Sequence, residues 1–150
     1  MSARTTARVA LGILAVTGLF VGVWATAAPH SFFSSFPGGG HMWVASDGPY
    51  NEHLVRDVGD LNLALVAVTL CACVWWSRAL AAAAALAWLV YSVPHLTYHA
   101  FNLQTVSGDD QVAELVSLAV PIVLAACILV AVRSAREAGP TEPSGTPVGR

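Results

Sequence analysis

The chain reads as an all-α integral membrane protein, a four-helix bundle with both termini cytoplasmic. Three observations predict this. Hydrophobic residues make up 56% of the 150 and charged residues only 11%, against a charged share of about 25% in a soluble domain. A soluble chain of this size has no interior large enough to hide so much apolar surface, so lipid is its solvent. Four runs, at about 9–28, 55–76, 79–98 and 112–132, approach or reach the ~20 residues with which a helix crosses the hydrocarbon core. Six of the seven arginines (Arg4, Arg8, Arg78, Arg133, Arg136 and Arg150) flank one set of span ends, and only Arg56 the other. That asymmetry predicts an inner-membrane protein of a bacterium, with both termini and the turn at 77–78 cytoplasmic. Residues 1–133 form one domain, since nothing outside the spans could hold a second core. The absence of lysine points to a G+C-rich genome.

Span one follows Arg4 and Arg8. Those arginines, the apolar run and Ala25-Thr26-Ala27 also make the pattern of a signal peptide with a small-residue cleavage site. The run exceeds the usual signal core, and Gly18 and Gly22 are spaced as a small-xxx-small packing face, which predicts a retained helix. The outer loop at 29–54 carries Phe32, Phe33, Phe36, Trp43 and Tyr50, an aromatic density suited to the headgroup level. Phe36-Pro37-Gly38-Gly39-Gly40 and Asp47-Gly48-Pro49 are turn signals, so the loop is expected to fold back over the bundle as a lid. The glycines have no preceding strand or following Lys-Ser/Thr, so they read as a turn and not a phosphate loop. Trp75 and Trp76 anchor the inner end of span two. Cys71, Cys73 and Cys127 read as small buried apolar residues, with a Cys71–Cys127 contact left open. Residues 134–150, rich in Pro, Gly, Ser and Thr, are expected to be a disordered cytoplasmic tail.

All five histidines and seven of the nine acidic residues fall on the outer side of this topology. At the start of span two, Glu52, His53, Arg56, Asp57 and Asp60 share roughly 140° of helical arc. Arg56 is i, i+4 from both Glu52 and Asp60, and the deeper Asp60 is the expected charge partner, since an unpaired carboxylate there is costly. Asn62 points elsewhere, toward a neighbouring helix. In span three, His95 and His99 are i, i+4 on one face, a spacing that lets two imidazoles reach one metal ion. Tyr91 and Asn102 extend that stripe. Pro94 and Pro121 should each free a carbonyl in the membrane, to be satisfied in a polar cavity or by a neighbour. Asp110 and Glu114 open span four, and His30 closes span one.

These residues converge on one outer level, the way helical bundles build metal and cofactor sites. The expected metal or ligand set is His95 and His99, completed by Asp60, Asp57 or His53, with Glu52, Glu114, His30 and Tyr91 as secondary candidates. Two histidines and a carboxylate suit a transition metal such as zinc, iron or copper. Haem is disfavoured because His95 and His99 share a face. The competing explanations are local: interfacial histidines bound to headgroups, and carboxylates at helix N-termini, which suit Asp109, Asp110 and Glu114 but not the deeper Asp60.

Two stretches carry a resemblance, Gly48-Pro49-Tyr50-Asn51-Glu52-His53-Leu54-Val55-Arg56-Asp57-Val58-Gly59 and Val93-Pro94-His95-Leu96-Thr97-Tyr98-His99. They resemble four-span integral membrane proteins of high-G+C bacteria. The layout over about residues 9–133, with arginine and glycine opening span two, is similar to the DoxX-like superfamily. That resemblance implies the fold. Some of its members are linked to redox partners, thiosulfate or quinone, but no motif here carries such an activity.

The leading functional expectation is a small accessory or binding protein with an extracytoplasmic His/carboxylate pocket for a metal or small cofactor. The rival is a membrane enzyme acting on a lipid-soluble substrate such as a quinone or isoprenoid, with Asp60 or His95 as base and Arg56 holding an anionic group. A channel or transporter is less attractive because the inner halves of the spans lack ionisable residues. Expected partners are the lipid bilayer and a membrane protein or second copy of the chain, not nucleic acid.

Overall fold

The computed structural model describes residues 2–103, 106 and 108–137. Among them every regular element is a helix: α1 Ala3–Ala27, α2 Pro29–Ser35, α3 Trp43–Ser46, α4 Glu52–Val74, α5 Arg78–Phe101 and α6 Gly108–Glu137. The four long ones, α1, α4, α5 and α6, are each long and apolar enough to cross a membrane. Start signals are local. The Ser2, Asn51 and Ser77 side chains accept from the backbone N–H three residues on, at 3.2, 3.3 and 3.0 Å, which satisfies a donor that the first helical turn leaves open. The last helix runs to Glu137, past the expected end of span four. The rest of the expected tail, residues 138–150, lies outside the described residues.

The four long helices form a ring in which α1 touches α4 and α6, and α5 touches α4 and α6. Lipid removes the hydrophobic drive between helices, so close approach and interhelical hydrogen bonds decide the packing. Small residues supply the approach. Ala72, Ala81, Ala84, Ala85 and Ala125 are fully buried around Leu11, Leu14 and Ile128, which makes a dense core in the half nearer the arginines. There Arg4 and Arg8 lie over the Trp76 ring, at 5.5 and 5.8 Å from its centroid. Arg8 Nη2 also donates to the Cys73 carbonyl at 3.1 Å. The outer faces are apolar, with Val90 75% and Phe101 81% exposed, as lipid requires. The three cysteines are free, Cys71 and Cys73 half-buried and Cys127 exposed, so Cys127 belongs to the outward face and not to the core as expected.

The tightest crossing joins α1 to α4. A Cβ on Gly18 would stand 2.7 Å from Val66 Cγ2, one on Gly22 2.9 Å from Leu63, and one on Gly59 2.7 Å from the Thr26 nitrogen. The Gly18/Gly22 spacing thus does what its pattern predicts, and Gly59 is its counterpart on α4.

This contact fixes the rotation of α4. Val55, Gly59 and Asn62 are buried, and at about 100° per residue they share one narrow stripe. Asp57 then lies roughly opposite, with His53 and Asp60 roughly 130–150° away, and all three are exposed. Arg56 turns toward the end of α1. Its Nη1 donates to the Thr26 carbonyl, satisfying an acceptor in the last turn of α1 where a cation also suits the dipole. Its Nε and Nη2 both reach Glu52 Oε1 at 2.9 Å. Asp60 Oδ1 accepts instead from the Thr26 hydroxyl at 2.9 Å. The expected Arg56–Asp60 pair is therefore replaced by Arg56–Glu52, because the Thr26 hydroxyl satisfies Asp60.

The segment between α1 and α4 is a roof. Its turn uses Gly38, Gly39 and Gly40 at φ of 103°, 68° and 91°, a region glycine enters without steric cost. The Trp43 N–H then returns to the Phe36 carbonyl at 3.0 Å. Phe32, Phe36 and Trp24 pack ring against ring, with Trp24–Phe32 centroids at 5.8 Å and Phe32–Phe36 at 4.7 Å. His41 Nδ1 meets Asp110 Oδ1 of α6 at 2.7 Å, which ties the far side of the roof down.

Substituting Gly59→Ala should destabilise the protein by about 1–3 kcal/mol, because backbone on α1 cannot yield as a side-chain tip can. Gly12→Ala, where a Cβ meets nothing within 4 Å, should be neutral or stabilising by up to about 1 kcal/mol. Thermal unfolding of both variants in detergent checks this. Equal behaviour of the two would show that the α1–α4 crossing is not tight.

Candidate functional site

Beneath the roof, the half of the bundle away from the helix ends that carry Arg4, Arg8 and Arg78 opens into a cavity of about 1120 Å³, at or above the ~300–1,000 Å³ of typical small-molecule sites. Trp88 forms part of its lining, and its indole donates to the Thr69 hydroxyl at 2.9 Å, which in turn donates to the Leu65 carbonyl at 2.7 Å. Apolar wall comes from α1 (Val16, Phe20, Val21), from α4 (Leu54, Val55, Val58) and from the roof (Phe32, Phe33, Phe36, Val44).

The polar wall is a stripe on α5 continued onto α4 and α6. Tyr91, His95 and His99 follow one another at i, i+4, so a straight helix sets them along one edge. Tyr91 and His95 stack with centroids 5.3 Å apart and planes at 18°, and His95 and His99 stand 4.9 Å apart. At one end Asn62 Nδ2 reaches the Tyr91 hydroxyl at 3.2 Å and the Val58 carbonyl at 2.8 Å. At the other, His99 Nδ1 meets Glu114 Oε1 of α6 at 2.9 Å. His99 Nε2 lies 4.0 Å from Asp47 Oδ2, contributed by the roof. The His99 and Glu114 side chains are 11% and 5% exposed, so this contact lies largely out of solvent. Tyr50 also lines the cavity. Desolvation first, and then the neighbouring Glu52 carboxylate, hold its phenol above the ordinary value.

The expected residues divide sharply. His95, His99, Tyr91 and Glu114 are brought together at the cavity wall. Asp57, Asp60 and His53 are not: His53 and Asp57 pair with each other at 3.5 Å on the exposed face, and Asp60 binds Thr26. Glu52 pairs with Arg56, and His30 packs edge-on to Tyr50 with centroids 5.2 Å apart; Glu52, Arg56 and His30 do not line the cavity. Among the described residues no group of three or more His, Cys, Asp or Glu is arranged to hold a metal ion. The expected shell of His95 and His99 with an α4 carboxylate is thus not assembled, since the glycine contact turns those carboxylates away. Pro94 lies on the exposed face, whereas Pro121 lines the cavity.

Asp47, Trp43 and Ser92 line the cavity without a sequence signal that marks them as site residues. Asp47 sits in a stretch that reads as a turn, and Trp43 reads as an interfacial aromatic. Ser92 lies beside the α5 stripe, and a lone helical serine carries no signal.

No family model, curated protein or solved structure matches this chain.

The His99–Glu114 contact should show as coupling. His99→Ala and Glu114→Ala each leave a buried polar partner unmatched, so each should cost about 1–3 kcal/mol. The double variant should cost less than their sum by about 0.5–3 kcal/mol. Detergent denaturation of the four proteins measures the cycle, and strict additivity would mean that the two side chains do not interact.

Proposed function

We propose that this protein is a binding protein of the bacterial inner membrane that takes up a lipid-soluble amphiphile at the extracytoplasmic end of its bundle. One observation carries the reading: a large cavity with apolar walls from α1, α4 and the roof, and one polar wall running Asn62, Tyr91, His95, His99, Glu114. Such a site suits a molecule with an apolar body and a small polar head. The arginine asymmetry supports the orientation, with both termini cytoplasmic and the roof outside. An organic ligand suits the cavity better than a metal ion, because Asp57 and Asp60, the carboxylates that would complete a metal shell, face away from the histidines.

A second reading, acid–base chemistry on the bound amphiphile, is favoured by the His99–Glu114 contact. A carboxylate on Nδ1 fixes the ring orientation and leaves Nε2 toward Asp47 and the cavity, which is how a general acid or base is positioned. In this version His99 takes the role of base expected of Asp60 or His95, and Arg56, held by Glu52 and Thr26, takes no part.

The test uses chain-end-brominated undecyl amphiphiles, whose bromine quenches tryptophan on contact, with the protein in nanodiscs. Trp24→Phe, Trp75→Phe and Trp76→Phe leave Trp43 and Trp88, both on the cavity wall, as reporters. At least one head group should give saturable quenching as its mole fraction rises. Val58→Phe with Ser117→Phe, which fills the cavity, should weaken it about tenfold or more, a loss of about 1.4 kcal/mol. Val90→Phe on the lipid-facing side should leave it unchanged. Quenching that rises linearly for every head group, or that ignores the filling, would refute binding in the cavity.

A further inference from the structure

Resting on that reading, we propose that the ligand's head is uncharged and oxygen-bearing, a hydroxyl or carbonyl on an apolar chain, and that Trp43 and Ser92 recognise it. The inference starts from two polar groups that the fold leaves unmatched. Trp43 is 8% and Ser92 4% exposed, and both line the cavity. Among the described residues neither the Trp43 indole N–H nor the Ser92 hydroxyl has a hydrogen-bond partner. Buried polar groups are otherwise almost always paired. A helical hydroxyl ordinarily returns to the carbonyl four residues back. Thr69 and Thr97 do so here, at 2.7 and 2.8 Å. Ser92 does not.

Donor chemistry narrows the head group. An indole N–H only donates, so its partner must carry a lone pair. An ammonium has none, and would leave Trp43 as unsatisfied as before. A hydroxyl or carbonyl oxygen accepts from Trp43, and either accepts from Ser92 as well.

Charge narrows it further. Among the described residues the cavity lining contains the carboxylates Asp47 and Glu114 and no arginine or lysine. Arg56 is turned away onto Glu52 and the Thr26 carbonyl. His99 already stands between Glu114 at 2.9 Å and Asp47 at 4.0 Å. His95 lies 4.9 Å ring to ring from His99, so charging both imidazoles meets repulsion. A carboxylate or phosphate head would enter as a third acid with no cation to receive it. A neutral oxygen satisfies the unmatched donors and adds no charge.

The same nanodisc quenching assay decides it, with three probes of one chain length: ω-bromoundecanol, ω-bromoundecanoate and ω-bromoundecyltrimethylammonium. The alcohol should saturate at a mole fraction about tenfold below either ionic probe. Ser92→Ala, and separately Trp43→Phe read through Trp88, should each weaken the alcohol about three- to tenfold, the range of one neutral hydrogen bond. Neither should change the ionic probes. If the carboxylate or the ammonium saturates as early as the alcohol, the neutral-head assignment falls while the cavity reading stands. It also falls if the alcohol binds equally well to wild type, Ser92→Ala and Trp43→Phe. If no probe saturates, both readings fall.

Discussion

The backbone contact between α1 and α4 governs the rest of the molecule. Gly18, Gly22 and Gly59 leave no room for a Cβ, so the two helices can approach only with those faces together. In lipid this counts for more than in water, because burying apolar surface gives helices no net reason to associate. Once Gly59 is against α1, the wheel of α4 is set. Asn62 points toward α5, Arg56 toward the end of α1, and the acids at 57 and 60 outward. A different rotation would have added an α4 carboxylate to those of Asp47 and Glu114 in the cavity, and a different chemistry with it.

The helices differ in what they present along their length. Toward the arginines, alanines dominate the contacts, and the core is closed around Leu11, Leu14 and Ile128. Toward the other end the contact residues become Tyr91, His95 and His99 on α5 and Glu114 on α6. These polar side chains line the cavity where the alanine core ends. Lying between helices, the cavity needs a roof to separate it from water. The aromatic segment from Pro29 to Tyr50 supplies that roof and is pinned by its own ring cluster and by His41 on Asp110.

Charges are disposed so that the membrane level carries few unmet ones. Glu52, Arg56 and the Thr26 carbonyl form one group, Asp60 and the Thr26 hydroxyl another, and His53 with Asp57 a third at the surface. Such exposed pairs contribute little stability, about 0–1 kcal/mol each, and their main effect is to keep charge out of the cavity. Inside, the ionisable groups among the described residues are Asp47, His95, His99 and Glu114, with the phenols of Tyr50, Tyr91 and Tyr98. Asp47 comes from the roof, so the electrostatics of the cavity depend on the roof being down.

Composition and periodicity by themselves determined the helical class, the four spans, the small-residue face of α1 and the polar edge of α5. These follow from local rules: a helix must satisfy its own backbone in lipid, and i, i+4 spacing sets which side chains share a face. The roof was also legible, because clustered aromatics and glycine turns have few other uses beside a membrane. The partners of that polar edge were not. A helical wheel gives the relative angles of Asp57, Asp60 and His53 but not the rotation of α4 against its neighbours. Only the fit of Gly59 against Thr26 and Gly22 decided that rotation. Likewise nothing in the chain marks Asp47, Trp43 and Ser92 as site residues. They become site residues only because the roof and α5 close on the same cavity, which is a property of distances between elements far apart in sequence.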